Sequence, residues 1–234
     1  MVGQVSYTLK VWRDLHIGSG VGLPGLIDEY IVRDQNGFAH IPGSQIKGLV
    51  RESCRQLLTL RGAAELMCEG QQHWQEGSEA TAFCALRGQP MCLMCVLFGA
   101  PASPGGVWFS PAEYAPGYRT TVAGAGLALR DMATSAHAAI DPGTRRAQTH
   151  QLFNLEVARP ADVFRGRVER LGEWPGNAVL PEAQAWLWLT AAMLFTRRLG
   201  GRRRRGWGRC EFEIEGKEGQ PAAEYDAIRS WLGG

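Results

Sequence analysis

The run from Ala183 to Phe195 is apolar apart from Gln184 and Thr190, and this stretch restricts the fold more than any other. It is too short to cross a bilayer. It therefore reads as a buried helix, opened by Pro181 and closed near Gly200-Gly201, so the spacing predicts a helix over 181–199. A helix that is apolar on most sides needs other layers to cover it. Gln4 to Arg13 alternates Val5, Tyr7, Leu9 and Val11 against polar neighbours, the period of a half-buried strand. Ile46, Leu49, Val50, Leu57 and Leu58 recur at helical spacing after Pro42-Gly43-Ser44, predicting a helix over 44–60 with Ser44 as its N-cap. Asn36-Gly37 between 29–33 and 38–41 is a hairpin signal. Val107 to Tyr114 reads as a strand, 152–157 and 163–168 as adjacent strands, and Trp207 to Ile214 as the last strand.

Strand, helix, strand pair, helix, strand is the order of an α+β, ferredoxin-like (RRM-like) β-α-β-β-α-β core. One domain over 1–234 accommodates it. Two stretches interrupt the order: 66–99, which lacks periodicity, and 117–151, a long excursion rich in Gly, Ala, Thr and Arg. Apolar residues at 45% and charged residues at 21% describe a folded globular chain. The amino terminus carries Lys10 and Arg13 and lacks the apolar core of a signal peptide. With six cysteines and no such leader, the expected location is the reducing cytoplasm, away from membranes.

The net charge of +2 is unremarkable for the whole, but Arg197, Arg198, Arg202, Arg203, Arg204, Arg205 and Arg209 crowd one segment. Gly200 and Gly201 before four successive arginines, with Gly206 and Gly208 after them, allow close backbone approach beside planar guanidinium forks. Phosphate is the expected ligand. Ser44, Lys47 and Arg51 at a helix start offer a second phosphate-binding element, the competing reading being a capped amphipathic helix with two solvated cations. His73, Cys84, Cys92 and Cys95, with Cys68 as a spare, form a candidate zinc set in which Cys92-x-x-Cys95 has the spacing of half a zinc knuckle. Free buried thiols are the alternative, and Cys54 and Cys210 fall on core patterns. His16, in the Gly-rich stretch 16–25, reads as structural or backbone-binding, and His137 and His150 flank the long excursion.

Leu15-His16-Ile17-Gly18-Ser19-Gly20, Ile41-Pro42-Gly43-Ser44-Gln45-Ile46-Lys47-Gly48 and the late Gly-Arg loop together resemble the RAMP family of CRISPR-Cas proteins. Gly25-Leu26-Ile27-Asp28-Glu29-Tyr30 is similar to the segment of type III backbone subunits that carries their RNA-cleaving aspartate. Cys92-Leu93-Met94-Cys95 resembles the family's zinc-associated segment, and Ala139-Ile140-Asp141-Pro142-Gly143-Thr144-Arg145-Arg146 its target-contacting thumb. Pro142 stands where relatives usually place a basic residue.

The resemblance implies a subunit of a type III CRISPR effector complex, in contact with guide RNA, target RNA and other effector subunits. His16, Ser44, Lys47, Arg51, Gly200, Gly201 and Arg202 to Arg205 would hold the guide, while a thumb with Asp141 and Arg145 would wedge into the guide–target duplex. Asp28 would be catalytic, assisting attack of the target 2′-hydroxyl on its own phosphorus, directly or with Mg2+ or Mn2+. Zn2+ would be structural. Two further readings stay open: a scaffold without catalysis, and a guide-precursor endoribonuclease using His16.

Overall fold

In the computed structural model, the residues described are 3–23, 26–72, 83–84, 87, 89–101, 103–117, 132–158, 163–215 and 230. Along the chain these form β1 (Gln4–Val11), β2 (His40–Ile41), α1 (Gly43–Leu60), α2 (Glu69–Gln72), α3 (Leu93–Phe98), β3 (Gly99–Ala100) and β4 (Ser103–Pro104). There follow β5 (Val107–Phe109), β6 (Ala112–Tyr114), β7 (Met132–Ile140), β8 (Ala147–Ala158), β9 (Val163–Arg170), α4 (Glu182–Phe195) and β10 (Cys210–Glu215).

The alternation in β1 buries Val5, Tyr7, Leu9 and Val11, and the strand lies between β10 and β9, antiparallel to both. Leu9 thus faces Phe212 on one side and Phe164 on the other. Beyond β9 the sheet continues through β6 to β2, with β5 also paired to β9. The strand expected over 107–114 is split in two at Ser110-Pro111, because proline has no N–H for a ladder. The Ser110 hydroxyl fills the gap by accepting from the Arg167 backbone N at 2.9 Å.

α1 and α4 pack against each other, α1 also against β5 and α4 against β10. α1 buries Ile46, Val50, Cys54, Leu57 and Leu58 on one stripe, whereas α4 buries residues on most of its circumference. Truncating a fully buried leucine such as Leu189 to alanine would cost about 2–5 kcal/mol. Among the described residues no helix is long and apolar enough to cross a membrane.

Several sequence expectations change. α1 starts at Gly43 with Pro42 as N-cap and no side-chain cap, so Ser44 lies inside the helix. Close packing sets that start: a Cβ on Gly43 would meet Phe109 O at 1.9 Å. α4 ends at Phe195 because Arg197 to Leu199 turns to pair with the approach to β10: Arg197 O accepts from Cys210 N and Leu199 N donates to Gly208 O. β8 and β9 are not neighbours. β8 runs on to Ala158 and pairs with β7 in a separate two-stranded hairpin, while β9 belongs to the main sheet. The hairpin expected around Asn36-Gly37 keeps its turn, with Gly37 at φ 82°, but reduces to a single bridge, Arg33 to Ala39.

Candidate nucleic-acid interface and cysteine cluster

The end of β1 leads into the base of the β7–β8 hairpin through paired bonds between Leu15 and Ala158. His16 follows, only 4% exposed, with both ring nitrogens engaged. Nδ1 lies 2.7 Å from Glu156 O and Nε2 lies 3.0 Å from Glu29 Oε2. The backbone of His16 meets the late glycine loop, Gly201 N donating to His16 O at 2.8 Å. Gly200, at φ +73°, cannot carry a side chain here, since a Cβ would stand 2.4 Å from the same oxygen.

Residues 28–31 run alongside β8. Asp28 N donates to Asn154 O at 2.9 Å, and Asn154 N returns a 2.6 Å bond to Asp28 Oδ2. The Asp28 side chain is exposed, and among the described residues its Oδ1 has no partner. Two residues on, Glu156 is 6% exposed, accepts from Ile31 N at 3.1 Å and pairs with Arg33, whose Nη1 also donates to Gly37 O at 2.7 Å. Asn154 and Glu156 share a face of β8 and fix the segment that presents Asp28. Both went unnoticed in the sequence, where their one signal is a polar alternation inside the otherwise apolar stretch 152–158.

The arginine loop closes over this region. Arg202 sits at φ +53°, its guanidinium 4.4 Å above the Phe153 ring of β8, within cation–π range. His137 of β7 stacks on Phe153 at 5.6 Å and meets Trp207 at 5.0 Å. Burial and then the charges of Arg202 and Arg205 hold the His137 imidazole below its usual pKa. Arg203, Arg204 and Arg205 form a 3-10 turn, are exposed, and have no carboxylate partner among the described residues, whereas Arg197 pairs with Glu211 at 3.8 Å.

His16, Gly200, Gly201, Arg202 and Asp28 therefore converge, and the remaining predicted residues do not join them. Lys47 donates to Val107 O at 2.9 Å, with burial and then Arg51 lowering its pKa. Arg51 grips Gln71 Oε1 through Nε and Nη2. Ser44 is exposed at the start of α1. Asp141 and Arg145 occupy the hairpin tip, where Asp141 Oδ1 accepts from Gly143 N, Thr144 N and the Thr144 hydroxyl, and Arg145 takes φ +56°. The bonds from Thr144 and Gly143 hold the Asp141 carboxyl below the usual carboxylate range.

In the other predicted centre, the sulfurs of Cys68, Cys84, Cys92 and Cys95 all lie within 4.8 Å of one another, three of the residues buried. His73 lies outside the described residues, and Cys68 is the fourth member of the cluster. Cys68 Sγ and Cys95 Sγ are 3.6 Å apart. A tetrahedral Zn–S length of about 2.3 Å requires S···S edges of about 3.8 Å, so the four thiols fit a structural zinc. Burial pushes the Cys84 thiol up to about 11, and the hydrogen bond between Cys92 and Cys95, followed by burial, raises the Cys92 thiol as well. Gln71 links the two regions, donating to Cys95 Sγ and Gly99 O while accepting from Arg51.

Comparison with curated proteins gives no match. Solved structures of similar fold include subunits of the Type III-B Cmr-beta complex. The form bound to cognate target RNA aligns at TM-score 0.59 and 12% identity, over 90% of this chain and 96% of that one. The apo form aligns at TM-score 0.57 and 12% identity, over 91% and 97%. The profile of the RAMP superfamily matches residues 8–211, which take in the second half of β1, both long helices and the whole arginine loop, and the chain belongs to the RAMP superfamily.

Proposed function

We propose that this chain is a backbone subunit of a type III CRISPR effector complex, which binds guide RNA and cleaves the guide-paired target through Asp28. The observation that carries this reading is the convergence of three segments distant in sequence. The glycine loop rests on His16, Arg202 covers the β7–β8 hairpin, and the hairpin holds the exposed Asp28. A glycine–arginine loop laid over the strand that holds an accessible carboxylate suits phosphate binding near a reacting hydroxyl. The sheet order β10-β1-β9-β6, with α1 and α4 packed together, agrees with a ferredoxin-like core. The cysteine segment within 66–99 and the β7–β8 hairpin, which runs past the expected 117–151 to Ala158, would be insertions in that core. In an assembly with guide, target and sister subunits the hairpin would serve as the thumb, and the cytoplasm would be the site of action.

In the proposed reaction the target 2′-oxygen gives up its proton and attacks the adjacent phosphorus as the bond to the 5′-oxygen breaks. The products are a cyclic phosphate and, once the leaving oxygen is protonated, a 5′-hydroxyl. Asp28 Oδ1 would accept the proton, or with Mg2+ or Mn2+ would ligate the cation; Oδ2 is already held by Asn154 N. Glu29 is committed to His16 and is less available. Zn2+ on Cys68, Cys84, Cys92 and Cys95 would tie the α2 region to α3 and play no part in the chemistry.

Cleavage of labelled target RNA by the guide-loaded complex, parental against Asp28→Ala, with and without divalent cation, tests this. Loss of cutting with target binding retained is expected. Unchanged cutting refutes the catalytic role and favours a scaffold, a reading to which the hydrogen-bonded state of Asp28 lends some support. A precursor-cleaving role for His16 is disfavoured, because a buried imidazole with both nitrogens engaged does not reach a substrate hydroxyl.

A further inference from the structure

Trp207 stands between two glycines in the left-handed region, Gly206 at φ +87° and Gly208 at φ +67°. Gly208 admits no Cβ, which would lie 1.8 Å from Leu199 O, and its N–H donates to Asp14 O at 2.8 Å. The indole is thereby fixed beside the end of β1. Next to it opens a pocket of about 430 Å3 lined by Arg13, Asp14, Arg205, Gly206 and Trp207. That volume is in the range of small-ligand sites, about 300–1,000 Å3.

The lining has a particular chemistry. Trp207 is half-buried and braced by His137 at 5.0 Å, so a flat π-surface is held in place. Arg13 and Arg205 are exposed and have no carboxylate partner among the described residues, in contrast to Arg33 and Arg167, which are paired with Glu156 and Glu169. Asp14, which also makes no ion pair among the described residues, adds an acceptor-only group. A stacking face, two guanidinium groups and one carboxylate match the base, the phosphates and the amine or hydroxyl donors of one ribonucleotide. A free anion would need the cations but neither the indole nor the carboxylate.

We infer that this pocket seats one unstacked base of a single RNA strand, with Trp207 as the stacking surface and Arg13 and Arg205 on the flanking phosphates. The inference rests on the RNA-binding reading above and adds base contact to backbone contact. Base–aromatic stacking increases affinity by about tenfold or more per base.

The full chain is titrated with a fluorescein-labelled single-stranded RNA of mixed sequence and with an abasic ribose-phosphate strand of the same length. The parental protein should bind the base-bearing strand about tenfold more tightly. Trp207→Leu should lose that preference while binding the abasic strand as before, and Trp207→Phe should keep most of it. Equal parental binding of the two strands, or an intact preference in Trp207→Leu, overturns the stacking site and leaves backbone binding standing. Binding of neither strand overturns the RNA-binding reading and this inference with it. Photocrosslinking of 5-iodouridine RNA to the parental protein decides the matter even where Trp207→Leu does not fold: a crosslink at Trp207 supports the site, and crosslinks confined to other residues refute it.

Discussion

Glu156 and Arg33 form a pair whose removal should be far more costly singly than jointly. Their side chains are 8% and 21% exposed, and Glu156 also satisfies the Ile31 N–H through Oε2. Glu156→Leu leaves a mostly buried guanidinium and an amide without an acceptor. Breaking a buried ion pair from one side costs about 3–5 kcal/mol, and the partial exposure of Arg33 favours the lower end, about 3 kcal/mol. Arg33→Leu strands the more deeply buried carboxylate and should cost a similar amount. In the double variant no charge is stranded; the half-buried Gly37 carbonyl can turn to water, and the Ile31 amide is left at about 1–3 kcal/mol. The coupling should thus offset at least about 2 kcal/mol of the summed single losses. Urea unfolding of the four proteins at pH 7 measures it, with unchanged slopes as the check that the unfolded states match. A Glu156→Leu loss below about 1 kcal/mol, or strict additivity, would refute the argument that the pair fixes the Asp28 segment.

Three further outcomes are expected. Gly208→Ala should lose about 2 kcal/mol or more in the same assay, since the new Cβ meets Leu199 O at 1.8 Å and φ is +67°; a neutral result would contradict the close approach. His137 has a depressed folded-state pKa, so the stability it supports is present above the ordinary histidine value and declines as pH falls through the lower one. Protection of the hairpin amides, each exchange rate referred to its intrinsic value at the same pH, should fall between pH 7 and pH 5 in the parent and stay level in His137→Gln. Metal analysis should find about one zinc per chain, with chelation or Cys95→Ser lowering the melting temperature; a stable, zinc-free protein would rule the ion out.

Periodicity made the layers legible, because Val5, Tyr7, Leu9 and Val11 or Ile46, Val50, Cys54 and Leu58 report one buried face each. Partner choice was not legible. The pattern in 152–157 says strand, but nothing local distinguishes pairing with β7 from pairing with β9, since both ladders use the same alternation. Lys47 and Arg51 looked like open cations; their long stems instead carry the charged ends onto Val107 O and Gln71. The Cys92–Cys95 pair was visible by spacing, whereas Cys68 became a partner only once α2 and α3 were folded together. Of the candidate site, the glycine–arginine loop was readable from residue type, and Asp28 only through the family resemblance. Phe153, Asn154 and Glu156 were not, because their roles depend on which face of β8 meets residues 28–31.

The register between residues 28–31 and β8 has a consequence for how this chain can vary. Asn154 and Glu156 alternate with Phe153 and Leu155, so inserting or deleting one residue in β8 on the tip side of Asn154 leaves these contacts intact. The same change between Asn154 and Ala158 would turn a phenyl or isobutyl group toward Asp28 and bury no acceptor for Ile31. Length variation among related chains should therefore concentrate in the 141–146 tip, leaving the hairpin free to be tailored in reach while its anchored end remains constant.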